Sequence, residues 1–268
     1  MKKERLDILA VEKGLFKSRQ AAAASIMAGV VYVNGQREDK AGKKLPEEVE
    51  ITVKEDICPY VGRGGLKLAG AASAFGFDLH NKVTVDIGAS TGGFTDFMLQ
   101  NGASKVYSID VGYGQLDWKL RNDNRVVNLE RTNIRHLDTS LIEEPVDFIS
   151  VDVSFISLKL VLPVASKILG EKGQIVALIK PQFEAGKNQV GKKGIVRDRA
   201  VHKEVIEKVI EYSNENGLKA VDLARSPITG AKGNIEYLVM LENYDHDEHK
   251  IVETGLIDDI VTMESEAN

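Results

Sequence analysis

Short apolar runs along the middle of the chain alternate with stretches in which apolar residues recur at helical spacing. One run, Val83–Ile87, is rich in β-branched residues, which is typical of a strand buried in a parallel sheet. Similar runs predict strands at residues 105–110, 125–129, 146–152 and 174–180, near Val221 and at residues 236–241. Helices are predicted at residues 66–75, near Trp118 and at residues 199–216. This alternation predicts an α/β fold with a mostly parallel sheet, helices on both faces and an antiparallel strand in the last pair.

The first 55 residues follow a different pattern, in which two short helices precede the strands. Leu6, Leu9 and Ala10 share one face of the first helix. Ser18 has the position and the chemistry of an N-cap for the second helix, which is expected to end at Gly29.

Two valine-rich strands complete this small α+β domain. They are predicted at residues 30–35, which end in an Asn-Gly turn, and at residues 49–53. A linker follows at Cys58-Pro59, because proline and the residue before it both resist helix formation. The predicted organisation is a domain of residues 1–55, a linker of residues 56–61, a second domain of residues 62–244 and a tail of residues 245–268.

Charge is distributed unevenly along the chain. The 268 residues carry a formal net charge of -5, but residues 242–268 hold nine acidic residues and one lysine. Residues 1–44 hold ten basic residues against five acidic ones. This positive excess suits the phosphate backbone of a nucleic acid. The acidic tail is expected to lie outside the core, with a short helix around Ile257.

Composition disfavours several classes of protein. There is no run of 18 apolar residues, and the lysine-rich N-terminus leads into an amphipathic pattern, so we expect no membrane span, no signal peptide and a cytoplasmic location. A single cysteine, Cys58, excludes an internal disulfide and a cysteine-rich metal site. The histidines are scattered without the spacing of metal ligands, so we expect no metal.

A glycine-rich turn follows the Val83–Ile87 strand. Gly88, Gly92 and Gly93 allow a sharp bend where a side chain would obstruct a ligand at the strand end. The turn matches neither a dinucleotide fingerprint nor a phosphate loop, and it contains no lysine. Asp86 makes it acidic, which suits a ligand with a cationic group and hydroxyls. S-adenosylmethionine has an ammonium near its sulfonium and a ribose, so it is the leading candidate cofactor.

Asp110 ends the next strand, about twenty residues beyond the turn. In doubly wound folds an acid at this place accepts hydrogen bonds from a ribose. An isolated acid after a strand more often caps the following helix. The glycine turn upstream makes the ribose role the favoured interpretation.

Four charged residues are expected to meet at one edge of the sheet. Asp152 and Lys180 end two strands, Glu236 begins a third, and Lys67 lies on the first helix of the second domain. Strand ends of this kind converge on one rim, so the four side chains would face the methyl group of the cofactor. Each one alone is more often a surface ion or a helix cap, but two lysines and two acids in one pocket are unusual.

The sequence resembles the TlyA family, within the wider FtsJ-like ribose 2′-O-methyltransferases. The resemblance is carried by residues 86–95, 110–115, 129–133, 152–157, 180–184 and 233–237. The N-terminal domain is similar to S-four-like RNA-binding domains in its order of elements, in residues 17–20 and in its Val-Asn-Gly turn. The resemblance implies a Rossmann-like S-adenosylmethionine-dependent methyltransferase domain that methylates a cytidine ribose of ribosomal RNA at the 2′-oxygen.

The matched motifs also imply residue roles and a partner. The catalytic positions are Lys67, Asp152, Lys180 and Glu236. The cofactor-binding positions are Asp86, Gly88, Ala89, Ser90, Thr91, Gly92, Gly93, Phe94, Asp110, Asn133 and Asp152. The RNA-binding positions are Arg5, Lys17, Ser18, Arg19, Gln20, Asn34 and Arg63. The expected partner is ribosomal RNA or a ribosomal subunit, and the sequence leaves the subunit, the target nucleotide and the oligomeric state open.

The implied chemistry explains the residue types. A ribose 2′-hydroxyl is a poor nucleophile at neutral pH, so a base has to take its proton during methyl transfer. Burial beside a second ammonium lowers a lysine pKa from about 10.4 toward about 7 to 8, where the neutral amine can act as that base. Nearby acids oppose this effect, so the sequence leaves open whether Lys67 or Lys180 is neutral. We favour Lys180, at the strand end nearest the expected methyl group.

Two other functions are compatible with parts of the pattern. A ribosome-associated factor could keep the fold and the cofactor pocket without turnover, but the loss of a catalytic position would then be expected, and none is missing. A pore-forming haemolysin, another label given to the family, would require a secretion signal or an amphipathic membrane helix. The acidic tail also has the wrong sign for anionic lipid.

Overall fold

The computed structural model describes residues 3–53, 58–243 and 251–263. The chain forms two compact units, Met1–Pro59 and Tyr60–Asn268. The boundary falls inside the predicted linker, and the last two linker residues belong to the second unit. There the Tyr60 ring packs edge-on against Phe97 at 5.5 Å between centroids, and the Val61 amide donates to Asp96 Oδ2 at 2.8 Å.

Within its described residues, the first unit contains two helices and five short strands. They are β1 (Lys3–Arg5), α1 (Leu6–Glu12), α2 (Arg19–Ala28), β2 (Val31–Val33), β3 (Gln36–Arg37), β4 (Lys44–Pro46) and β5 (Ile51–Val53). The α2 helix begins as predicted, because the Ala21 amide donates to Ser18 Oγ at 3.2 Å. It ends at Gly29, whose φ of 77° is the left-handed conformation that glycine adopts without strain.

The strands of the first unit form two small antiparallel sheets. One has the order β3-β2-β5, and the other pairs β1 with β4. The first helix begins at Leu6 and follows a strand that the sequence pattern did not predict, because Lys3–Arg5 pairs with β4. Leu6, Leu9, Ile26 and Val31 lie in the core of this unit and are at most 2% exposed.

The second unit alternates strands with helices. Its elements are α3 (Gly64–Phe75), β6 (Val83–Ile87), α4 (Gly93–Gln100), β7 (Lys105–Ile109), α5 (Trp118–Arg121), β8 (Val126–Leu129), β9 (Val146–Val151), α6 (Leu162–Ile168), β10 (Leu169–Ile179), α7 (Pro181–Glu184), α8 (Arg199–Glu215), β11 (Leu218–Arg225), β12 (Tyr237–Asn243) and α9 (Thr254–Thr262). Short 3-10 turns lie at Ile134–His136, Thr139–Leu141, Leu158–Leu160 and Ala231–Gly233.

Seven strands of the second unit form one sheet in the order β11-β12-β10-β9-β6-β7-β8. The pairs from β10 through β8 are parallel, and β12 is antiparallel to both of its neighbours. This confirms the predicted parallel sheet with an antiparallel strand in the last pair. The chain order reverses at β6, which lies between β9 and β7. In open α/β sheets such a point marks the crevice where ligands bind.

The C-terminal segment differs from the expectation that it lies outside the core. The helix around Ile257 is present as α9, but it packs against α8 and β11. Ile257, Ile260 and Val261 are at most 8% exposed and belong to the main hydrophobic core. The acidic side chains dominated the sequence pattern, whereas the apolar residues of α9 share one helix face and bury it.

None of the helices within the described residues has the length and apolar character needed to cross a bilayer.

Candidate active site

Four charged side chains meet at the carboxyl edge of the sheet in the second unit. Asp152 directly follows β9, and Lys180 directly follows β10. Glu236 directly precedes β12, which runs antiparallel to β10, so its start lies beside the end of β10. Lys67 reaches the same place from the first turns of α3. The structure therefore brings together all four residues predicted from the sequence, which we call the tetrad.

The Asp152 carboxylate links the two lysines of the tetrad. Lys67 Nζ donates to Asp152 Oδ2 at 3.2 Å and to Glu236 Oε2 at 2.8 Å. Lys180 forms an ion pair with Asp152 Oδ1 and donates to Ser154 Oγ at 3.1 Å. Lys67, Lys180 and Glu236 are only 9%, 7% and 3% exposed, so water screens these charges weakly.

Burial and charge act in opposite directions on this network. Burial disfavours the charge on Lys67, but Asp152 and Glu236 outweigh it and raise the Lys67 pKa above 10.5. Burial likewise acts to raise the pKa of Asp152, yet Lys180 and Lys67 hold it below its ordinary value of 3.8. Lys67 therefore keeps its proton at neutral pH, and Asp152 stays ionised.

Two further residues fix the position of Glu236, and sequence reasoning missed both. Gln182 Nε2 donates to Glu236 Oε1 at 3.2 Å, opposite the oxygen that Lys67 binds. Gly230 lies so close that a Cβ there would stand 2.0 Å from Glu236 Oε1. A side chain at residue 230 would therefore displace the carboxylate. Gln182 lies inside a segment that supported the family resemblance, but its type alone gave no sign of this contact.

A cavity of about 350 Å³ adjoins the tetrad beyond the ends of β6, β7 and β9. Asp152 belongs to the tetrad and also lines the cavity, so the two are continuous. Among the predicted cofactor-binding positions, Gly88, Ser90, Asp110, Asn133 and Asp152 line it. The volume falls within the usual range for small-molecule pockets.

Asp110 is held in place by the turn that it faces. Its Oδ2 accepts from the Ser90 amide at 2.8 Å, and its Oδ1 accepts from the Gly112 amide at 2.6 Å. The side chain therefore binds backbone amides of the turn and of its own loop, but it does not cap the following helix, α5, whose N-cap is Asp117. It also lines the cavity, where the remaining lone pairs can accept hydrogen bonds from a ligand.

The glycines of the turn serve mainly to bring chain segments together. At Gly88, with φ of 91°, a Cβ would lie 2.5 Å from the Asp152 carbonyl oxygen. At Gly92, with φ of 95°, it would lie 2.2 Å from a methyl carbon of Leu120. At Gly93 it would lie 2.8 Å from the backbone nitrogen of Gly65. The sequence interpretation assigned these glycines to ligand clearance, whereas the structure gives Gly92 and Gly93 a packing role.

The remaining predicted turn residues do not line the cavity. Ala89 and Phe94 are buried at 7% and 3% exposure, and Phe94 belongs to the core under α3 and α4. Thr91 is exposed, and its carbonyl oxygen accepts from the Asp117 amide at 3.1 Å.

Asp86 does not face the cavity, contrary to the expectation that it makes the ligand pocket acidic. Its carboxylate is completely buried and accepts from the amide and the hydroxyl of Thr95 at 2.9 and 2.7 Å. The Ser150 hydroxyl lies 3.3 Å away. Burial raises the pKa of Asp86 to about 7, although the Thr95 hydrogen bonds oppose the shift. Asp86 thus ties the end of β6 to the first turn of α4.

Phe155 is a site residue that sequence reasoning left unassigned. It lines the cavity, is 91% exposed and adopts a φ of 63°, which is costly for a residue with a Cβ. Its ring lies 4.9 Å from that of Phe183, measured between centroids. The Glu184 carboxylate holds the loop that follows Phe155 in place, because it accepts hydrogen bonds from Ser157 Oγ at 2.6 Å and from the Leu158 amide at 2.7 Å.

The predicted RNA-binding residues of the first unit are exposed, except Arg5, which is half-buried. The guanidinium of Arg5 donates two hydrogen bonds of 2.9 Å to Asp7, and Arg19 donates to the same carboxylate at 3.2 Å. Lys17 and Gln20 are exposed beside the N-terminus of α2. Ser18, as the cap of α2, already binds the helix backbone.

The last two predicted RNA-binding positions lie elsewhere. Asn34 sits in the Asn-Gly turn with φ of 50°, and its Oδ1 accepts from the Glu50 amide at 3.0 Å. Arg63 belongs to the second unit, where it is exposed at the start of α3.

Comparisons with known proteins agree with this geometry. Residues 60–243 match the model of FtsJ-like methyltransferases, and residues 4–51 match the S4 domain. The chain is 43% identical to the 16S/23S rRNA (cytidine-2′-O)-methyltransferase TlyA of Mycobacterium tuberculosis, over 90% of each chain. It is 44% identical to Hemolysin A of Brachyspira hyodysenteriae, over 87% of this chain and 98% of that one. A solved Streptococcus thermophilus structure, described as a hemolysin, is 47% identical, with a TM-score of 0.77 and coverage of 97% and 95%.

The sheet order, the cavity at the reversal of strand order and the tetrad beside it define a Rossmann-like methyltransferase unit joined to a small RNA-binding-type domain. Within that class, the chain belongs to the TlyA family of S4-containing FtsJ-like methyltransferases. The resemblance inferred from the sequence motifs is thereby confirmed.

Proposed function

We propose that this protein transfers a methyl group from S-adenosylmethionine to the 2′-oxygen of a cytidine ribose in ribosomal RNA. The proposal rests on the buried tetrad, in which the Asp152 carboxylate binds both lysines beside the cavity. Relatives that share 43% identity across nearly the whole chain are named for this reaction.

The residues around the cavity fit the cofactor. Asp110 is placed to accept hydrogen bonds from ribose hydroxyls, as an acid after the second strand of such folds does. Ser90 and Asn133 present polar groups on either side, while Ile109 and Ile134 offer apolar surface for an adenine ring. When bound, S-adenosylmethionine supplies an electrophilic methyl group on its sulfonium.

The members of the tetrad have different roles in proton transfer. Lys67 remains a cation because two carboxylates hold its proton, so it provides fixed positive charge. Lys180 contacts a single carboxylate and lies at the end of β10 beside the cavity. In our proposal Lys180, which first has to release its own proton, takes the proton of the 2′-hydroxyl as the ribose oxygen attacks the methyl carbon. Asp152 orients both amines.

The RNA partner is inferred from two separate surfaces. In the first unit, Lys17, Arg19 and Gln20 lie exposed where an S4 domain is expected to meet an RNA backbone. In the second unit, the exposed ring of Phe155 at the cavity offers a surface on which an unstacked base can lie. The ring touches that of Phe183, yet it is 91% exposed and its backbone conformation is strained, so burial does not explain its position.

The test is methyl transfer to ribosomal RNA. Ribosomal subunits from cells that lack this gene are incubated with the purified protein and cofactor labelled in the methyl group. We expect label in cytidine, at a position that becomes resistant to alkaline cleavage because its 2′-oxygen is methylated. Label on a base, or no label with either subunit, contradicts the proposal. Tight subunit binding without transfer would instead favour a non-catalytic ribosome-binding factor.

A further inference from the structure

A second cavity of the methyltransferase unit is lined by three arginines. It has a volume of about 340 Å³ and lies between the start of α8, the end of β11 and the C-terminal end of α9. Arg197, Arg199 and Arg225 converge on it, together with His202 and Tyr237. The proposed methylation mechanism uses none of these residues.

The cavity is positively charged. No acidic side chain lines it within the described part of the chain. Asp198, which lies between Arg197 and Arg199 in the sequence, caps α8 by accepting from the Ala200 amide at 2.9 Å, and Glu236, which lies between Ile235 and Tyr237, pairs with Lys67. In the same described part, no hydrogen bond or ion pair engages the guanidinium groups of Arg197 and Arg199, whereas Arg225 donates to the Met263 carbonyl oxygen at 2.6 Å.

His202 contributes hydrogen bonding rather than charge. Burial, helped by the charge on Arg225, lowers the pKa of His202 below 6.5. Its Nε2 donates to the Val196 carbonyl oxygen at 3.0 Å, so Nδ1 accepts from the Tyr237 hydroxyl at 2.7 Å. This buried pair fixes the floor of the cavity and connects α8 to β12. The arginines therefore line a cavity whose floor is held in place by the hydrogen bonds of His202.

An adjoining cavity of about 480 Å³ extends the positive surface. Lys192, Lys193 and the acid Asp198 line it, and Arg197 is shared between the two cavities. Basic residues thus outnumber acidic ones in both cavities, and two such pockets joined at one arginine suit a chain of phosphates better than a single small anion.

The arginine cavity lies at the same edge of the sheet as the tetrad. Tyr237 pairs with Ile179 on one side and with Arg225 on the other. Glu236 precedes Tyr237 and Lys180 follows Ile179, and both are tetrad residues. Successive residues of a strand point to opposite faces, so Glu236 faces Lys67 while Tyr237 faces His202. An RNA strand crossing this edge can place one nucleotide at the tetrad and a neighbouring phosphate at the arginines.

We propose that the cavity formed by Arg197, Arg199 and Arg225 binds a phosphodiester group of the RNA, adjacent to the nucleotide that the tetrad methylates. This site rests on the proposed function for its ligand, and it adds an RNA-binding surface within the methyltransferase unit. Guanidinium groups suit it because their planar array of donors matches phosphate oxygens in pairs.

The test compares the full-length parent with the double variant Arg197→Gln/Arg199→Gln. The matched control, Lys167→Gln/Lys172→Gln, removes the same charge from exposed positions around the opposite end of β10. Binding of a short fluorescent oligocytidylate is measured over a range of salt concentrations. A parallel titration uses inorganic phosphate, and calorimetry with S-adenosylmethionine verifies that the cofactor site is intact. Because these are binding measurements, they remain interpretable even if ribose methylation itself fails its own test.

For the arginine variant we expect oligonucleotide affinity to fall roughly tenfold. The slope of log K against log salt should become shallower by about 0.7 for each phosphate that the variant no longer neutralises. The control variant should keep the parent's affinity within about twofold. Equal losses in both variants would show a general charge effect and overturn the proposal. A variant that loses inorganic phosphate binding but keeps oligonucleotide binding would also overturn it, because the ligand would then be a free anion.

Discussion

Lys67 and Glu236 are 169 residues apart in the sequence, yet the lysine ammonium donates to Glu236 Oε2 at 2.8 Å in the buried centre of the second unit. This bond joins α3 to the start of β12. Removing Lys67 would take away the charge that compensates the buried Glu236 carboxylate, which is far more costly than losing an exposed ion pair. The pair therefore holds α3 and the start of β12 in fixed positions beside Asp152 and Lys180.

Lys180→Ala is expected to fold and bind cofactor but to lower kcat for methyl transfer by about a hundredfold or more, because a general base is removed. Single-turnover transfer at saturating RNA and cofactor measures this loss. Lys180→Arg is the matched control, since arginine keeps the cation but cannot accept a proton at physiological pH. If the arginine variant turned over at nearly the parent's rate, Lys180 would act through its charge, and the base would have to be another group.

Asp110→Ala is expected to weaken S-adenosylmethionine binding by about tenfold or more, because the hydrogen bonds between ribose hydroxyls and a charged acceptor are removed. Titration calorimetry measures the change. Asp138→Ala is the control, because that carboxylate also caps a backbone amide, that of Ser140 at 3.0 Å, but does not line the cavity. Parental affinity in the Asp110 variant would rule out the ribose assignment.

Asp86 is expected to make folding stability depend on pH. Because its pKa is raised from 3.8 to about 7 in the folded protein, folding takes up a proton between these values. The contribution of Asp86 is therefore most favourable below pH 3.8 and is lost as the pH rises through about 7. Asp86→Asn should remove this component, which has a slope of at most about 1.4 kcal/mol per pH unit. Urea unfolding of parent and variant at several pH values gives the difference, and identical slopes would count against a neutral Asp86.

Phe155→Ala is expected to lower kcat/KM for RNA by roughly ten- to a hundredfold, the range for removing one base-stacking interaction. The free energy of unfolding should hardly change, because the ring is 91% exposed. Steady-state kinetics with ribosomal subunits measure the first effect and urea unfolding the second. Leu141→Ala removes an apolar side chain that is 46% exposed and lies outside the cavity lining, so it should leave RNA kinetics unchanged. An equal effect of both substitutions would argue against stacking on Phe155.

Ile257→Ala is expected to lower the free energy of unfolding by about 2 to 5 kcal/mol, because it leaves a cavity beside α8 and β11. Ile251→Ala is the matched control, since the same side chain is 57% exposed there and its removal should cost no more than about 0.5 kcal/mol. Denaturant unfolding measures both. Comparable small effects would mean that the C-terminal helix contributes little to the core.

The architecture of this protein could be predicted from local patterns in the chain. The strand at Val83–Ile87, the cap at Ser18 and the end of α2 at Gly29 are encoded in local patterns that neighbouring residues enforce. The tetrad could also be foreseen, because a parallel sheet brings its strand ends to one rim whatever the details of packing. Motif resemblance then indicated the family.

The contacts of individual side chains could not be predicted in the same way, because they depend on how distant elements pack. Asp86 has the sequence signature of a ligand-binding acid, but its direction depends on how α4 packs, and it points to Thr95. The sequence pattern assigned Gly93 to clearance for a ligand, but in the structure the backbone of α3 packs against it. The C-terminal helix carries acids on one side, and only the groove left by α8 and β11 shows why its apolar side is buried. Long-range packing sets these contacts, and no local sequence period records which distant surface a side chain will meet.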